Sequence, residues 1–220
     1  AEEPMLMALR EESTRQITIR VMGEIQLEVL KFVLKQRFNV DVDFGECKIL
    51  YLETIKNPVV GRGHFEPLRH YAEVHLRLVP TERGSGISFS SQCSLEVLEK
   101  SFQNLVRTHV FEKVHKGVLT GSPITDIEFV LLTGRTHLKH TEGGDFREAV
   151  YRAIRQGLRK AESVLLEPRY SFEIEADSGF TGRIMSDIQR MYGSFLPPET
   201  EGNNVIIKGE APVESFRSYP

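Results

Sequence analysis

The chain has 220 residues, 40% of them apolar and 27% charged, in proportions that exclude a disordered or low-complexity polymer and suit one large or several small domains. A formal net charge of −3 excludes nucleic-acid binding over the whole surface. It leaves room for a local basic patch, because screening confines a charge's influence to about 8–10 Å at physiological salt. Cys47 and Cys93, the two cysteines, make neither a disulfide framework nor a zinc site. No apolar run approaches the ~20 residues that cross a bilayer, and the acidic start "AEEPMLMALREE" does not read as a secretion signal. The expectation is a soluble cytoplasmic protein with no membrane partner.

In chain order, "LMALR" and "RQITIRV" flank the polar turn "EESTR" and predict a hairpin. Gly23 opens "GEIQLEVLKFVLKQRF", in which Ile25, Val29, Phe32 and Val33 share one helical face. The alternating "NVDVDF" predicts a strand, so the first module reads β-β-α-β and ends near Gly45. "KILYLETI" is the next predicted strand, followed by a polar loop, "KNPVVGRGHFEPLRH", and the long alternating strand "YAEVHLRLVP". A turn at Gly84 and Gly86 precedes "ISFSSQC". Ser94 is then expected to cap a helix on which Leu98, Phe102, Leu105 and His109 recur at helical spacing. Lys113, His115 and Lys116 ahead of Gly117 predict its end. "ITDIEFVLLTG" is a strand. Asp145 is expected to cap the next helix, with Glu148 at capping-box spacing and Phe146, Val150, Ala153, Ile154 and Ala161 facing inward. "YSFEIEA", "TGRIMSDIQRMYG" and "SFLPPETEGNNVIIKGEAP" then predict strand, helix and a hairpin turning at Asn203-Asn204.

The last module, β-α-β-β, lacks the final helix and strand of a split β-α-β unit, and the first lacks the initial β-α. Each is too short to bury much core alone. The expectation is a middle-to-late piece of a longer protein, cut inside two domains, whose unpaired sheet edges favour dimerisation or disordered ends.

The densest chemistry lies in "GRTHLKHTEGGDFREA", residues 134–149. His137 and His140 with Glu142 and Asp145 offer imidazole and carboxylate ligands for zinc. A zincin, however, needs His-Glu-x-x-His on one helix face; here the histidines precede the helix and Lys139 lies between them. No G-x-S-x-G is present, neither cysteine has a histidine near it in sequence, and no G-x-x-x-x-G-K-[ST] cradles a nucleoside triphosphate. No catalytic, metal or cofactor site is therefore assigned. Read for RNA, Arg135, His137, Lys139 and His140 are donors that match phosphate oxygens, and the amino end of the following helix adds backbone amides. Arg62, His64, Arg69 and His70 in the other loop present a second basic surface. His109 reads as a packed, hydrogen-bonded histidine, His75 as a surface residue and Phe102 as core. Arg152, Arg155 and Arg159 read as a solvated helix face supported by a Glu148–Arg152 pair.

"MGEIQLEVL" (22–30) resembles the Met-Gly-Glu-Leu-His-Leu-Glu signature in the third domain of elongation factor G. "ILYLETI" (49–55) is similar to the strand entering its fourth domain, and "LLEPRYSFEIEA" (165–176) to the junction into its fifth. "GSGISFSSQCSLEVLEKSFQN" (84–104) and "KGEAPVESFRSYP" resemble the tetracycline-resistance ribosomal-protection subgroup more sharply. The resemblance implies an α+β chain. Its parts would be an incomplete ferredoxin-like module (1–46), a central domain like the second domain of ribosomal protein S5 (47–168), and a second, truncated ferredoxin-like module (169–220). It implies a ribosome-binding, rRNA-binding piece of a translational GTPase whose GTP and magnesium site lies in a G domain upstream. The central domain would be an arm aimed at small-subunit rRNA in the decoding region. Where the resistance proteins carry a tyrosine- and proline-rich tip, this chain has "GRTHLKHTEGGD"; Gly134 to His137 looks instead like the Gly-Ser-Tyr-His of elongation factor G, which puts His137 at the tip. The expected function is ribosomal protection against tetracycline. The alternatives are a translocase without drug protection and, from another class, a metal-dependent hydrolase using His137 and His140. The ribosome reading requires the segments around Arg62 and His137 to become neighbours at one extremity of an extended body.

Overall fold

The computed structural model of the protein describes residues 8–10, 17–21, 23–217 and 219. They fall into two compact units, 50–168 and a second drawn from 1–49 and 169–220. The architecture is α+β. The predicted turn "EESTR" and the start of "LMALR" lie outside the described residues.

In the amino-terminal part, β1 (Ala8–Arg10) pairs antiparallel with β2 (Ile17–Ile19) and α1 (Glu24–Phe38) follows. Asn39, in the left-handed region at φ 52°, stops the helix, and its N–H donates to the Lys35 carbonyl at 3.1 Å. The strand expected at "NVDVDF" does not form. Asp41 and Asp43 turn back to ion-pair with Lys35 and Lys31, so alternation here serves charge contacts with the helix rather than a sheet. Nor is the expected inward face covered among the described residues: Ile25, Val29 and Phe32 are all exposed.

The central unit holds β3 (Leu52–Ile55), β4 (Val59–Phe65), β5 (Ala72–Pro80), β6 (Ile87–Ser91), α2 (Lys100–Phe111), β7 (Ile127–Thr136), α3 (Gly143–Lys160) and β8 (Ser163–Leu166). Its four-stranded sheet runs β4-β5-β7-β6, with β6 and β7 parallel and the other neighbours antiparallel, while β3 pairs with β8. Alternating β5 residues Ala72, Val74, Leu76 and Leu78 are fully buried with Ile127, Phe129 and Leu131 of β7, and Phe146, Ala149, Val150 and Ala153 of α3 join this core. Phe102 packs against it, its ring stacked on Phe146 at 5.1 Å.

Two sequence expectations are corrected in this unit. The "polar loop" after Ile55 contains a seven-residue strand, β4, whose glycines turn toward α3. A Cβ at Gly61 would lie 2.0 Å from the Ala153 carbonyl oxygen, and one at Gly63 would lie 1.7 Å from that of Ala149. The glycines let helix backbone rest on strand backbone. Second, α2 starts at Lys100, not after Ser94. Leu98 is anchored in the core, Glu99 is extended at ψ 153°, and Gln103 Nε2 donates to the Leu98 carbonyl at 2.8 Å. The helix ends at Phe111, well short of Gly117, and His115 returns to donate Nε2–H to the Val110 carbonyl at 2.9 Å.

Two carboxylates tie the unit together. Glu53, 1% exposed, accepts backbone amides from Leu119, Thr120 and Ser122 and the Thr120 hydroxyl at 2.9–3.2 Å. Burial pushes its pKa upward, but these donors outweigh burial and hold it below the usual carboxylate range. Glu53→Ala is expected to cost about 3 kcal/mol in urea denaturation, because it orphans several buried donors at once. Glu112 joins α2 to α3 by accepting from Arg147 at 2.9 Å, from Tyr151 and from His109, which is buried and hydrogen-bonded as its sequence context predicts. Burial raises its pKa, yet Tyr151, His109 and Arg147 lower it from 4.5 to about 2. The folded value lies below the unfolded one, so this carboxylate contributes stability above pH 4.5 and loses it as pH falls toward 2. Glu112→Gln is expected to make the acid limb of the stability–pH curve shallower in that window.

The carboxy-terminal part contains β9 (Arg169–Asp177), α4 (Thr181–Arg190), β10 (Ser194–Phe195), β11 (Glu199–Glu201), β12 (Asn204–Pro212) and α5 (Val213–Phe216). β12 is central, with β9 antiparallel on one side and β10 and β11 on the other. The predicted hairpin forms, with Gly202 supplying the positive φ of 63° and Asn204 already in β12. Ile184 and Ile188 of α4 pack on Val205, Ile207 and Ala211. No described helix is long and apolar enough to cross a membrane.

Candidate nucleic-acid interface

β4 and β7 both flank β5, and Phe65, Ala72 and Thr136 lie in one row at a single end of the sheet. The β4–β5 loop (66–71) and the β7–α3 loop (137–142) therefore emerge side by side. They are tied by direct bonds: Tyr71 N–H donates to the His140 carbonyl at 2.8 Å, and Thr141 Oγ1 donates to the Tyr71 carbonyl at 2.6 Å. The convergence demanded by the two basic segments is present within the central unit.

Five of the eight residues singled out from the sequence sit at this end. Arg69 and Lys139 are exposed, Arg69 in the left-handed region at φ 63°. His70, His137 and His140 line an open recess of about 410 Å³ with Tyr71 and Arg69. The rings of His137 and His140 stack at 4.6 Å with an interplanar angle of 23°. His137 N–H donates to Thr141 Oγ1 at 2.7 Å, which fixes the start of the loop.

The other three, Arg62, His64 and Arg135, occupy the sheet face that points away from α3. Their neighbours Gly61, Gly63 and Gly134 take the buried positions. His64, Glu73 and Arg135 form one cross-strand row, and Arg62, His75 and Thr133 the next. Local carboxylates are engaged: Glu66 with His64 at 2.8 Å, and Glu73 with His75 at 2.7 Å and Tyr71 at 3.1 Å. Burial raises the Glu73 pKa, but bonds from His75 and Tyr71 and the charge of Arg135 lower it overall, so Glu73 is ionised here. His75 is half-buried rather than a simple surface residue.

The start of α3 differs from expectation. Glu142, not Asp145, is the N-cap, and the box spans 142 and 145 rather than 145 and 148. Asp145 is buried, accepts the Glu142 N–H at 2.8 Å, and lies 2.9 Å from His70 Nδ1. That last contact is off the hydrogen-bond axis, and His70 Nδ1 has no hydrogen-bond partner among the described residues. A carboxylate thus already occupies the helix start, which is not an open anion site. The same turn of Asp145 removes it from the proposed metal quartet. Among the described residues no group of three His, Cys, Asp or Glu side chains is arranged to hold a metal ion. Arg152 reaches the His64 carbonyl at 2.8 Å and lies over the Phe65 ring, so it supports β4 instead of a free solvated face.

Sequence reasoning passed over Leu68 and Leu138, 90% and 105% exposed at the crests of the two loops. The available signal was an apolar residue inside each run of cations.

Three family models match in chain order: Elongation Factor G, domain III, over residues 1–46; Elongation factor G, domain IV, over 47–162; and Elongation factor G C-terminus over 164–220. An elongation factor G of Aquifex pyrophilus is 28% identical over 222 residues, covering 99% of this chain and 32% of its own length. Tetracycline resistance protein TetP of Clostridium perfringens is 30% identical over 220 residues, covering 99% of this chain and 34% of its own. A crystal structure from Thermus thermophilus matches with a TM-score of 0.77 and 29% identity, over 99% of this chain and 33% of that one. The chain spans 32–34% of the length of these relatives. With domain models matching in succession along it, this chain belongs to the elongation factor G family.

Proposed function

We propose that this chain is the ribosome-engaging part of a translational GTPase, and that its paired loops contact small-subunit rRNA at the decoding region. The observation that carries the reading is the bonded union of the 66–71 and 137–142 loops, with Arg69 and Lys139 exposed on it and Arg62, His64 and Arg135 on the adjoining sheet face. Arginine forks and a lysine point charge match phosphate oxygens, while the two exposed leucines and the stacked imidazoles suit base and sugar surfaces. The part played by this chain is steric and electrostatic. The loops compete with or reposition what occupies the decoding region, and GTP and magnesium act in a G domain elsewhere in the whole protein.

Within that function the subgroup we favour is ribosomal protection. TetP is 30% identical across the chain, and the 84–104 segment resembles that subgroup. The tip loop argues for translocase-like contacts instead, so the subgroup needs its own test. Binding to isolated small subunits should show log affinity falling linearly with log salt. Absence of binding at low salt would refute the ribosome reading. Expression of the whole gene in a tetracycline-sensitive host should raise resistance if the protection assignment holds, and leave it unchanged if the protein is a translocase.

A further inference from the structure

A second recess opens on the flank of the central unit, between the end of α2 and the middle of α3, with a volume of about 460 Å³. Lys113, Lys116 and Arg155 line it above Tyr151, Ile154 and Leu158, and no carboxylate is among its described lining residues. In a chain of net charge −3 this is a local reversal of sign. Glu112, the nearest acidic residue in sequence, is already engaged by Arg147, His109 and Tyr151. His115, in the recess wall, is buried and donates to the Val110 carbonyl; burial lowers its pKa, so the positive sign comes from the three exposed cations. Lys113 Nζ stands 3.2 Å from the centroid of the Tyr151 ring, which holds the ammonium at the mouth. Arg155 uses one of its five donors on the Gly117 carbonyl at 3.2 Å.

We infer that this recess is a second contact for the phosphodiester backbone of RNA, distinct from the paired loops. The inference rests on the ribosome reading and extends it from the tip to the flank. All three cations are exposed, an arrangement that suits a strand passing across an open groove. A free mononucleotide would call for an enclosed cradle of buried donors. α3 links the two surfaces: from Asp145 to Arg155 is ten residues, about 15 Å along the helix axis. For an RNA element that spans this distance, two weak contacts on one helix reinforce each other through effective concentration.

The test uses the 220-residue chain carrying Lys113→Gln, Lys116→Gln and Arg155→Gln together. Binding to small ribosomal subunits and to a labelled single-stranded RNA oligonucleotide is measured against salt. The slope of log affinity on log salt should fall by about 2 relative to the unmodified chain. An unchanged slope on both probes overturns the inference. Loss of slope on the oligonucleotide, with no subunit binding by any version of the chain, keeps the recess as an RNA contact and removes the ribosome reading. Displacement of the oligonucleotide by millimolar adenosine monophosphate, with loss of that displacement in the triple variant, overturns the backbone assignment in favour of a small-nucleotide site. If the triple variant melts early, the Lys113→Gln, Lys116→Gln pair, which spares the bond to Gly117, takes its place.

Discussion

Replacing Gly63 with alanine is expected to destabilise the protein by ~3 kcal/mol or more, read as a lower midpoint in urea denaturation. The added carbon would sit 1.7 Å from the Ala149 carbonyl oxygen and 2.7 Å from the Ala153 amide nitrogen, both backbone atoms of α3. No rotamer relieves a collision with backbone, so strand and helix must separate, and with them the core built on Ala149, Val150 and Ala153. Gly61→Ala should act the same way against Ala153. Gly144→Ala is the control: nothing lies within 4 Å of its added carbon, and stability should change by no more than about 0.5 kcal/mol. Because α3 begins beside the 137–142 loop, the Gly63 variant should also weaken subunit binding without altering a single charge.

The second large effect is on binding. Arg135→Ala with Lys139→Ala should lower affinity for small subunits by roughly tenfold per residue, the size of a charge-assisted hydrogen bond. It should also reduce the salt slope by about 1 for each phosphate partner removed. Both side chains are exposed, so the melting temperature should scarcely move. Arg135 also helps hold Glu73 ionised, and its removal leaves that carboxylate less well compensated on the face proposed to meet RNA. The Arg135 half of the pair should therefore cost more than the Lys139 half. Unchanged subunit binding by the folded double variant would count directly against the tip assignment.

How far the fold could be read from the sequence depended on whether local pattern and tertiary demand agreed. The long alternation of "YAEVHLRLVP" became β5, and the inward residues chosen on α3 are buried from Phe146 to Ile154, because burial on one face imposes the period that was read. β4 was hidden because Gly61 and Gly63 look like loop residues until α3 is seen lying against them. "NVDVDF" failed in the opposite sense: its period was right for a strand, yet its aspartates bond to lysines of α1. The start of α2 moved because Leu98 is held by tertiary packing where Ser94 offered only local capping. At the candidate interface, cation type and spacing singled out two segments that the fold brings side by side. Their division between a sheet face and a loop pair depended on the β4–β5–β7 register, which no local pattern encodes. The role of Glu53 was equally invisible, since its donors lie more than 60 residues away at Leu119, Thr120 and Ser122.

Ribosome engagement through the paired loops requires that both crests meet the same RNA. Leu68→Cys and Leu138→Cys, each made with Cys47→Ser and Cys93→Ser, allow an iron chelate to be tethered at either crest. Hydroxyl-radical cleavage of bound small subunits should then fall on overlapping nucleotides of the decoding region from both positions. Cleavage at unrelated places, or none despite binding, would contradict it.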